Sequence, residues 1–186
     1  MDHQDHVDLL REGVQNRGGK WADLGSGRGA FTLALAELLN PQGEIYSVDK
    51  NASALRTQKR IMLQRFSDTR VHYLRADFTM PIDIPPLDGI VIANALHFIQ
   101  NKIPVVIHLR TLLKKDGRFI LVEYNTDRGN MWVPYPISYN SWEKLASQTG
   151  FTSTRKIAAR PSSFLGEIYA ALSHKSFEST LDNKPW

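Results

Sequence analysis

Residues 20–31 of this chain read KWADLGSGRGAF, and this stretch decides the fold. A short apolar run around Trp21 meets three glycines at every second position, Gly25, Gly27 and Gly29. Apolar residues then recur at helical spacing through 31–39, which is typical of a helix with one buried face. The pattern predicts a strand, a tight turn and a helix in succession.

The glycine turn also predicts a ligand site. Glycines let the backbone bend sharply and approach a ligand without an intervening Cβ atom, and the helix that follows presents unpaired N–H groups at its start. The spacing G-x-G-x-G differs from the G-x-G-x-x-G of dinucleotide sites and from the phosphate loop that ends in Gly-Lys-Ser/Thr, so phosphate is not the expected ligand. Asp23, two residues before Gly25, favours a ligand that carries an ammonium group, held directly or through water.

The heptapeptide at 23–29, DLGSGRG, resembles the first motif of the class I S-adenosylmethionine (SAM) dependent methyltransferases, Asp/Glu-x-Gly-x-Gly-x-Gly. The resemblance implies that SAM binds here and leaves as S-adenosylhomocysteine. It also implies that cofactor contacts come from Asp23, Gly25, Ser26, Gly27 and Gly29. Glycine turns after a strand also occur in folds that bind nothing there, so the rest of the chain has to supply further evidence.

The composition is that of a single globular domain. With 186 residues, 42% of them hydrophobic and 23% charged, the chain is long enough for one sizeable core and too short for two ordinary domains. No apolar run reaches the roughly 18 residues that span a bilayer, and residues 1–5 lack the features of a secretory signal. We therefore expect a cytoplasmic protein without a membrane segment.

Metal and nucleic acid are weakly supported as ligands. The chain has no cysteine, which excludes disulfides, thiolate metal sites and a cysteine nucleophile. His3 and His6 alternate with acidic residues, a pattern that superficially resembles a set of metal ligands. We interpret this segment as a solvated helix start and predict no metal. The net charge of +4 is small and spread over the chain, so it is only a weak indication of nucleic-acid binding.

Two further strands are each followed by an acid. The predicted strand 44–48 ends at Asp49, whose carboxylate could accept two hydrogen bonds from a ribose diol; the alternative is an exposed acid that caps the next helix. Its neighbour Lys50 is included in the predicted cofactor site. The predicted strand 71–75 leads to Asp77 and Phe78, which could receive an adenine amino group and pack against the base. In a right-handed parallel arrangement these acids and Asp23 meet at one sheet edge.

The fourth predicted strand, 87–93, leads into Asn94, which we interpret as a ligand contact. Methyltransferases that act on nucleic-acid or glutamine amino groups often carry Asn/Asp-Pro-Pro-aromatic here. This chain has Asn-Ala-Leu-His at 94–97, which resembles the small-molecule enzymes instead. His97 is a candidate general base, with an imidazole satisfied by backbone as the alternative. Glu123 and Tyr124, at the end of a predicted fifth strand, 118–124, are the next candidates.

Residues 125–140 follow that strand without periodicity but are rich in apolar and aromatic side chains. We predict a substrate lid that includes Trp132, Tyr135 and Tyr139, with an ordinary hydrophobic flap as the alternative. A short helix, 141–149, and two strands, 151–159 and about 165–173, complete the pattern. The connection between these strands is too short for a crossover, so the pair must be antiparallel.

These observations predict an α/β fold: a doubly wound, seven-stranded, mostly parallel sheet with an antiparallel last strand and helices on both faces. We expect one domain over 1–174, with a leading helix from about Asp5 to Asn16 within residues 1–19 and a polar tail over 175–186. The expected function is methyl transfer from SAM to a small-molecule acceptor. RNA or protein methylation and a non-catalytic SAM-binding subunit are the alternatives, and the oligomeric state is left open.

Overall fold

The computed structural model describes residues 1–15, 18–39 and 41–176. Helices and strands alternate along most of this length, and the sheet that they form is ordered β3-β2-β1-β4-β5-β7-β6. In chain order the elements are α1 His3–Arg11, β1 Gly19–Leu24, α2 Ala30–Leu39, β2 Gly43–Asp49, α3 Ala52–Arg65, β3 Arg70–Arg75, β4 Leu87–Ala93, a 3-10 turn Leu96–Phe98, α4 Lys102–Thr111, β5 Leu113–Tyr124, α5 Tyr139–Gln148, β6 Phe151–Ser162 and β7 Gly166–Lys175.

The first five strands run parallel, and β7 is antiparallel to both β5 and β6. Strand order reverses at β1, which pairs with β2 on one side and with β4 on the other. Open parallel sheets bind ligands beside the carboxyl ends of their strands at such a reversal. The predicted fold class, including the antiparallel final strand, is confirmed.

Apolar side chains cover both faces of the sheet. Leu24, Ile92 and Phe119 belong to the core cluster that includes Trp142 of α5. Residues on the opposite face, such as Trp21, pack in the cluster that includes α1 and α2. Because neighbouring residues of a strand point to opposite faces, the near-continuous apolar run of β4 is buried on both sides, as a central parallel strand requires.

Several predicted boundaries were wrong, those of α1 and β5 among them. Helix α1 begins at His3 rather than near Asp5, because Asp2 caps it and forms a reciprocal capping box with Asp5. Strand β5 begins at Leu113 rather than at Arg118, because Leu113 already pairs with Leu87 of β4, and the register of this pair shifts between Leu87 and Gly89.

Some sequence predictions fall on residues that the structure does not describe. Most of the predicted tail, 177–186, lies outside the described residues. The predicted end of the leading helix at Asn16 was wrong, because α1 ends at Arg11. Within the part of the chain that is described, no helix is long and apolar enough to cross a membrane.

Candidate functional site

The glycine turn is fixed by hydrogen bonds to β2. The main-chain N–H groups of Gly25 and Ser26 both donate to the carbonyl oxygen of Val48, at 2.8 and 3.1 Å. Gly25 has a φ of 75°, and a Cβ atom added there would lie 2.6 Å from the Cβ of Ala95. Gly27 has a φ of 53°, but an added Cβ would meet nothing within 4 Å. Gly25 is therefore packed from the side, whereas Gly27 faces open space.

Asp49, the last residue of β2, holds the tip of this turn. One carboxylate oxygen accepts the N–H of Gly27 at 2.8 Å, and the other accepts the N–H of Asn51 at 2.7 Å. Each oxygen of an ionised carboxylate can accept more than one hydrogen bond. Asp49 can therefore bind a ligand hydroxyl while it holds the turn.

Asp77 and Phe78 lie on the other side of the same space. The backbone N–H and the hydroxyl of Thr79 donate to Asp77 Oδ1 at 3.0 and 2.7 Å, and these bonds hold the pKa of Asp77 below its usual range. The Phe78 ring would lie 3.2 Å from a Cβ at Gly25. The third strand end therefore supplies an ionised acid and a ring beside the glycine turn.

These residues enclose a cavity of about 370 Å³, a size usual for small-molecule sites. Its lining comes from the carboxyl ends of β1 to β4 and comprises Gly25, Gly27, Asp49, Lys50, Ala76, Asp77, Phe78, Thr79, Asn94, Ala95, Phe98 and Ile99. Seven of the ten predicted cofactor residues are among them. The other five lining residues, Ala76, Thr79, Ala95, Phe98 and Ile99, were not predicted from the sequence, although the place of Phe98 and Ile99 just after β4 was a usable signal. A groove of about 450 Å³ beside α4 lacks the convergent acids.

Asp23, Ser26 and Gly29 do not line this cavity. The Asp23 side chain lies behind the turn and is 1% exposed. The Thr32 hydroxyl donates to it at 2.6 Å, and burial raises the pKa of Asp23 to about 7. A side chain at Gly29 would overlap Gln58. Direct ligand contact by these three residues remains a prediction.

A set of side chains that we call the buried polar chain runs behind the turn. Ser26 and Ser47 hydroxyls are 2.8 Å apart, and Ser47 donates to Gln58 Oε1 at 2.8 Å. The Gln58 amide nitrogen donates to Thr32, which donates to Asp23. Every donor then points toward the carboxylate. Gln58, the central member of this chain, was not predicted from the sequence. An amide side chain on the buried face of α3 was nevertheless a signal.

Asn94 has a strained backbone at the cavity wall. Its φ is 51°, a region that non-glycine residues seldom adopt, and its N–H donates to the carbonyl of Val122 at 2.9 Å. Its side-chain oxygen Oδ1 is buried and has no hydrogen-bond partner among the described residues. Buried polar atoms are normally paired, so this unpaired acceptor fits a ligand that donates a hydrogen bond.

His97, in the 3-10 turn after β4, is paired with Glu123 of β5. Nδ1 of the ring lies 2.8 Å from Glu123 Oε2, and the backbone N–H of His97 donates to Oε1 at 3.1 Å. The residues are 3% and 0% exposed. The alternative of an imidazole satisfied by backbone was wrong, because the partner is a carboxylate side chain. Tyr124 lies beside this pair, with its ring centroid 6.3 Å from that of His97.

The predicted lid is attached next to His97. The N–H of Tyr135 donates to the His97 carbonyl at 3.0 Å, and Lys102 Nζ donates to the Tyr135 carbonyl at 2.7 Å. Trp132 is 72% exposed. Tyr139 is the first residue of α5, where its ring packs against Tyr169 with centroids 5.9 Å apart. The segment without helix or strand is therefore 125–138, and Tyr139 belongs to the helix that follows it.

Among the described residues, histidine and acidic side chains form no metal-binding arrangement. Over residues 1–15, 18–39 and 41–176 there is no group of three or more His, Asp or Glu that could hold a metal ion. His3 instead pairs with Glu37, with 2.7 Å between the ring nitrogen and the carboxylate.

Comparison with known proteins gives a consistent result. A family model described as a methyltransferase domain matches residues 15–163. A ubiquinone/menaquinone biosynthesis C-methyltransferase of Pseudomonas aeruginosa is 26% identical over 115 residues, which are 61% of this chain and 45% of that protein. The Burkholderia mallei protein of the same name is 27% identical over 123 residues, 66% of this chain and 49% of that one. The chain spans about half the length of these curated relatives.

Solved structures share the fold. The YcgJ protein of Bacillus subtilis superposes with a TM-score of 0.76 at 15% identity, over 93% of this chain and 99% of that one. A Burkholderia thailandensis 1,6-didemethyltoxoflavin-N1-methyltransferase, solved with 1,6-didemethyltoxoflavin and S-adenosylhomocysteine, superposes with a TM-score of 0.73 at 18% identity, over 94% and 78% of the two chains.

Proposed function

This chain belongs to the methyltransferase domain family, and from that membership we propose that it transfers a methyl group from SAM to a small-molecule acceptor. The observation that carries the proposal is the cavity at the reversal of strand order, where two acids, an aromatic ring and an unpaired amide oxygen converge. Together, these groups suit a ligand in which a nucleoside is joined to a cationic amino acid.

The cofactor contacts follow from these positions. Asp49 would accept the ribose hydroxyls, and Asp77 with Phe78 would hold the adenine. The unpaired oxygen of Asn94 would accept a hydrogen from the cofactor ammonium, which removes the cost of leaving that atom unpaired. When bound, the sulfonium supplies an already activated methyl group. The chain orients the acceptor and excludes water, and such positioning is worth roughly 7–11 kcal/mol of barrier.

A small-molecule acceptor is supported by two observations. The chain lacks the Asn-Pro-Pro-aromatic sequence at 94–97. The Pseudomonas aeruginosa relative is a ubiquinone/menaquinone biosynthesis C-methyltransferase, and the Burkholderia thailandensis enzyme was solved with 1,6-didemethyltoxoflavin. We propose that residues 125–138 act as the lid over this acceptor, with Trp132 and Tyr135 facing it, within a single cytoplasmic domain over 1–174.

Isothermal titration calorimetry with S-adenosylhomocysteine tests the cofactor assignment. We expect saturable binding to the wild type, with no comparable binding of an adenine dinucleotide; the reverse preference would overturn the proposal. Methyl incorporation from labelled SAM into pooled metabolites, RNA and protein then tests the acceptor class. Incorporation into RNA or protein alone would replace the small-molecule assignment, and binding without any incorporation would indicate a non-catalytic subunit.

A further inference from the structure

Glu123 fixes the tautomer of His97. Its two carboxylate oxygens are both engaged by this one residue, Oε2 by the ring nitrogen Nδ1 and Oε1 by the backbone N–H. An ionised carboxylate only accepts hydrogen bonds, so the ring hydrogen is assigned to Nδ1. The other nitrogen, Nε2, is then an acceptor with a free lone pair. A base oriented by a buried carboxylate is a recurring arrangement for proton removal.

The free nitrogen is accessible. In the described residues Nε2 has no hydrogen-bond partner, and it is not among the fully buried unpaired side-chain atoms. It therefore reaches solvent although the residue is only 3% exposed.

One ammonium group, that of Lys102, lies near the pair. Lys102 Nζ donates to the carbonyls of Ile99 and Tyr135, both at 2.7 Å, which holds the ammonium near the pair. Its attraction to Glu123 and Asp127 opposes the effect of burial, which lowers the pKa of Lys102. The ammonium thus offsets part of the cost of a buried carboxylate.

Aromatic rings lie near His97. The centroids of the Phe98 and His97 rings are 4.3 Å apart. Phe98 also lines the proposed cofactor cavity. The Tyr124 ring centroid lies 6.3 Å from that of His97 and 5.8 Å from that of Phe164, the second pair in an edge-to-face arrangement. Phe98 and Phe164 are 60% and 49% exposed. Exposed rings next to a cavity are suited to a planar apolar ligand.

We infer that His97 is the general base of this enzyme and that the acceptor is a hydroxyl on an aromatic ring, held against Phe98, Tyr124 and Phe164. The inference rests on the proposed methyl transfer. Nε2 takes the hydroxyl proton, the oxygen forms a bond to the methyl carbon, and the carbon–sulfur bond breaks with its electron pair on sulfur. Glu123 touches no substrate and is a positioning residue: it holds Nδ1–H and stabilises the imidazolium that forms.

The tautomer can be read without turnover, from the nitrogen chemical shifts of His97 in the full-length protein. We expect the Nδ1–H form in the wild type. Glu123→Gln should convert it to the Nε2–H form, because the amide oxygen is required by the backbone N–H and the amide NH₂ then faces Nδ1. His72, which pairs with Glu44 at 2.7 Å on the surface, supplies the matched control: His72→Asn should leave the His97 signals unchanged. An Nε2–H form in the wild type would overturn the inference.

Binding of 4-nitrophenol, whose ionised form absorbs visible light, tests the acceptor class. In the wild type with saturating S-adenosylhomocysteine we expect the bound probe to ionise more readily than the free probe. His97→Asn keeps a donor to Glu123 but removes the base, and should weaken 4-nitrophenol binding at least about tenfold. Binding of 4-nitroanisole, which has no hydroxyl, should not differ between wild type and variant.

The outcomes separate the two proposals. If S-adenosylhomocysteine binds but 4-nitrophenol binds equally to the wild type and to His97→Asn, the base assignment fails and the methyltransferase proposal stands. If 4-nitrophenol behaves as expected but S-adenosylhomocysteine does not bind, the proposed function fails. Retained S-adenosylhomocysteine binding by His97→Asn shows that the variant is folded; should it fail to fold, Glu123→Gln gives the same comparison.

Discussion

The N–H of Gly27 lies 2.8 Å from a carboxylate oxygen of Asp49. One acid therefore both holds the tip of the glycine turn and lines the cavity beside it. The same carboxylate accepts the N–H of Asn51, which caps α3 and places the start of that helix against the turn. A change at this side chain should therefore affect the ligand and the turn together.

Replacing Asp49 by Asn should weaken S-adenosylhomocysteine binding. The amide removes a charged acceptor from the cavity and can serve only one of the two N–H groups, and hydrogen bonds to charged groups are worth about 1.5–3 kcal/mol, or roughly 10- to 100-fold in affinity. Calorimetry measures the change. Asp83→Asn, at an exposed position in the β3–β4 connection, is the control and should bind as the wild type does. Equal affinities for both variants would remove Asp49 from the site.

Alanine at Gly25 and at Gly27 should have different effects. At Gly25 the new methyl would press on Ala95 and Phe78, so the free energy of unfolding should fall by several kcal/mol through overpacking and backbone strain. At Gly27 the methyl has open space, and the cost to stability should be roughly 1–2 kcal/mol of backbone strain. Because that space is the cavity, Gly27→Ala should still lower S-adenosylhomocysteine affinity more than tenfold. Denaturant unfolding and calorimetry give the two quantities, and unchanged binding by Gly27→Ala would contradict the assignment.

Asp23 should make stability fall as pH rises. Burial raises its pKa from 3.8 to about 7 in the folded protein, so between these values the folded state holds a proton that the unfolded state has released, and stability declines across that window. At one pKa unit per about 1.4 kcal/mol, the decline is roughly 4 kcal/mol at most. Asp23→Asn cannot titrate. The difference in unfolding free energy between variant and wild type should therefore change from pH 4 to pH 7 and stay constant above pH 8. A difference independent of pH would show that Asp23 has an ordinary pKa.

The lid proposal predicts separable effects in the segment after β5. Trp132→Ala should change stability by no more than about 0.5 kcal/mol, because the side chain is 72% exposed. It should leave S-adenosylhomocysteine affinity unchanged and lower the turnover of the acceptor. Tyr139→Ala should instead cost about 1–3 kcal/mol of stability, because it removes packing against Tyr169. Full acceptor turnover by Trp132→Ala would show that residues 125–138 are an ordinary flap.

The strand order and the cavity edge could be predicted because they depend on regularities of the sequence. Most of the parallel strands were predicted from runs of apolar residues. Asp49 and Asp77 marked the carboxyl ends of β2 and β3. Since parallel strands present their carboxyl ends at one edge, these positions converge in the structure. Asp23 could not be placed in the same way. It lies inside β1, before the last residue of the strand, so its side chain faces α2 rather than the cavity.

Contacts between distant segments were beyond the sequence patterns. The pairing of His97 with Glu123 depends on how β4 and β5 align, and the register irregularity near Leu87 shifts that alignment. Gln58 gave a weak signal, since it occupies an inward helical position between Leu55 and Met62. The sequence around Gln58 did not predict that Ser47 and Thr32 would be its hydrogen-bond partners.

The buried polar chain limits how far this site could be moved to another protein. Its members come from β1, the glycine turn, α2, β2 and α3. Transplanting residues 23–29 onto a different strand–helix junction would carry the heptapeptide without the hydroxyls and the amide behind it, and would leave a desolvated acid facing apolar neighbours. A protein engineer would have to graft at least two strands and two helices as one unit, and substitutions at Gln58 would be tolerated only together with compensating changes on the other elements.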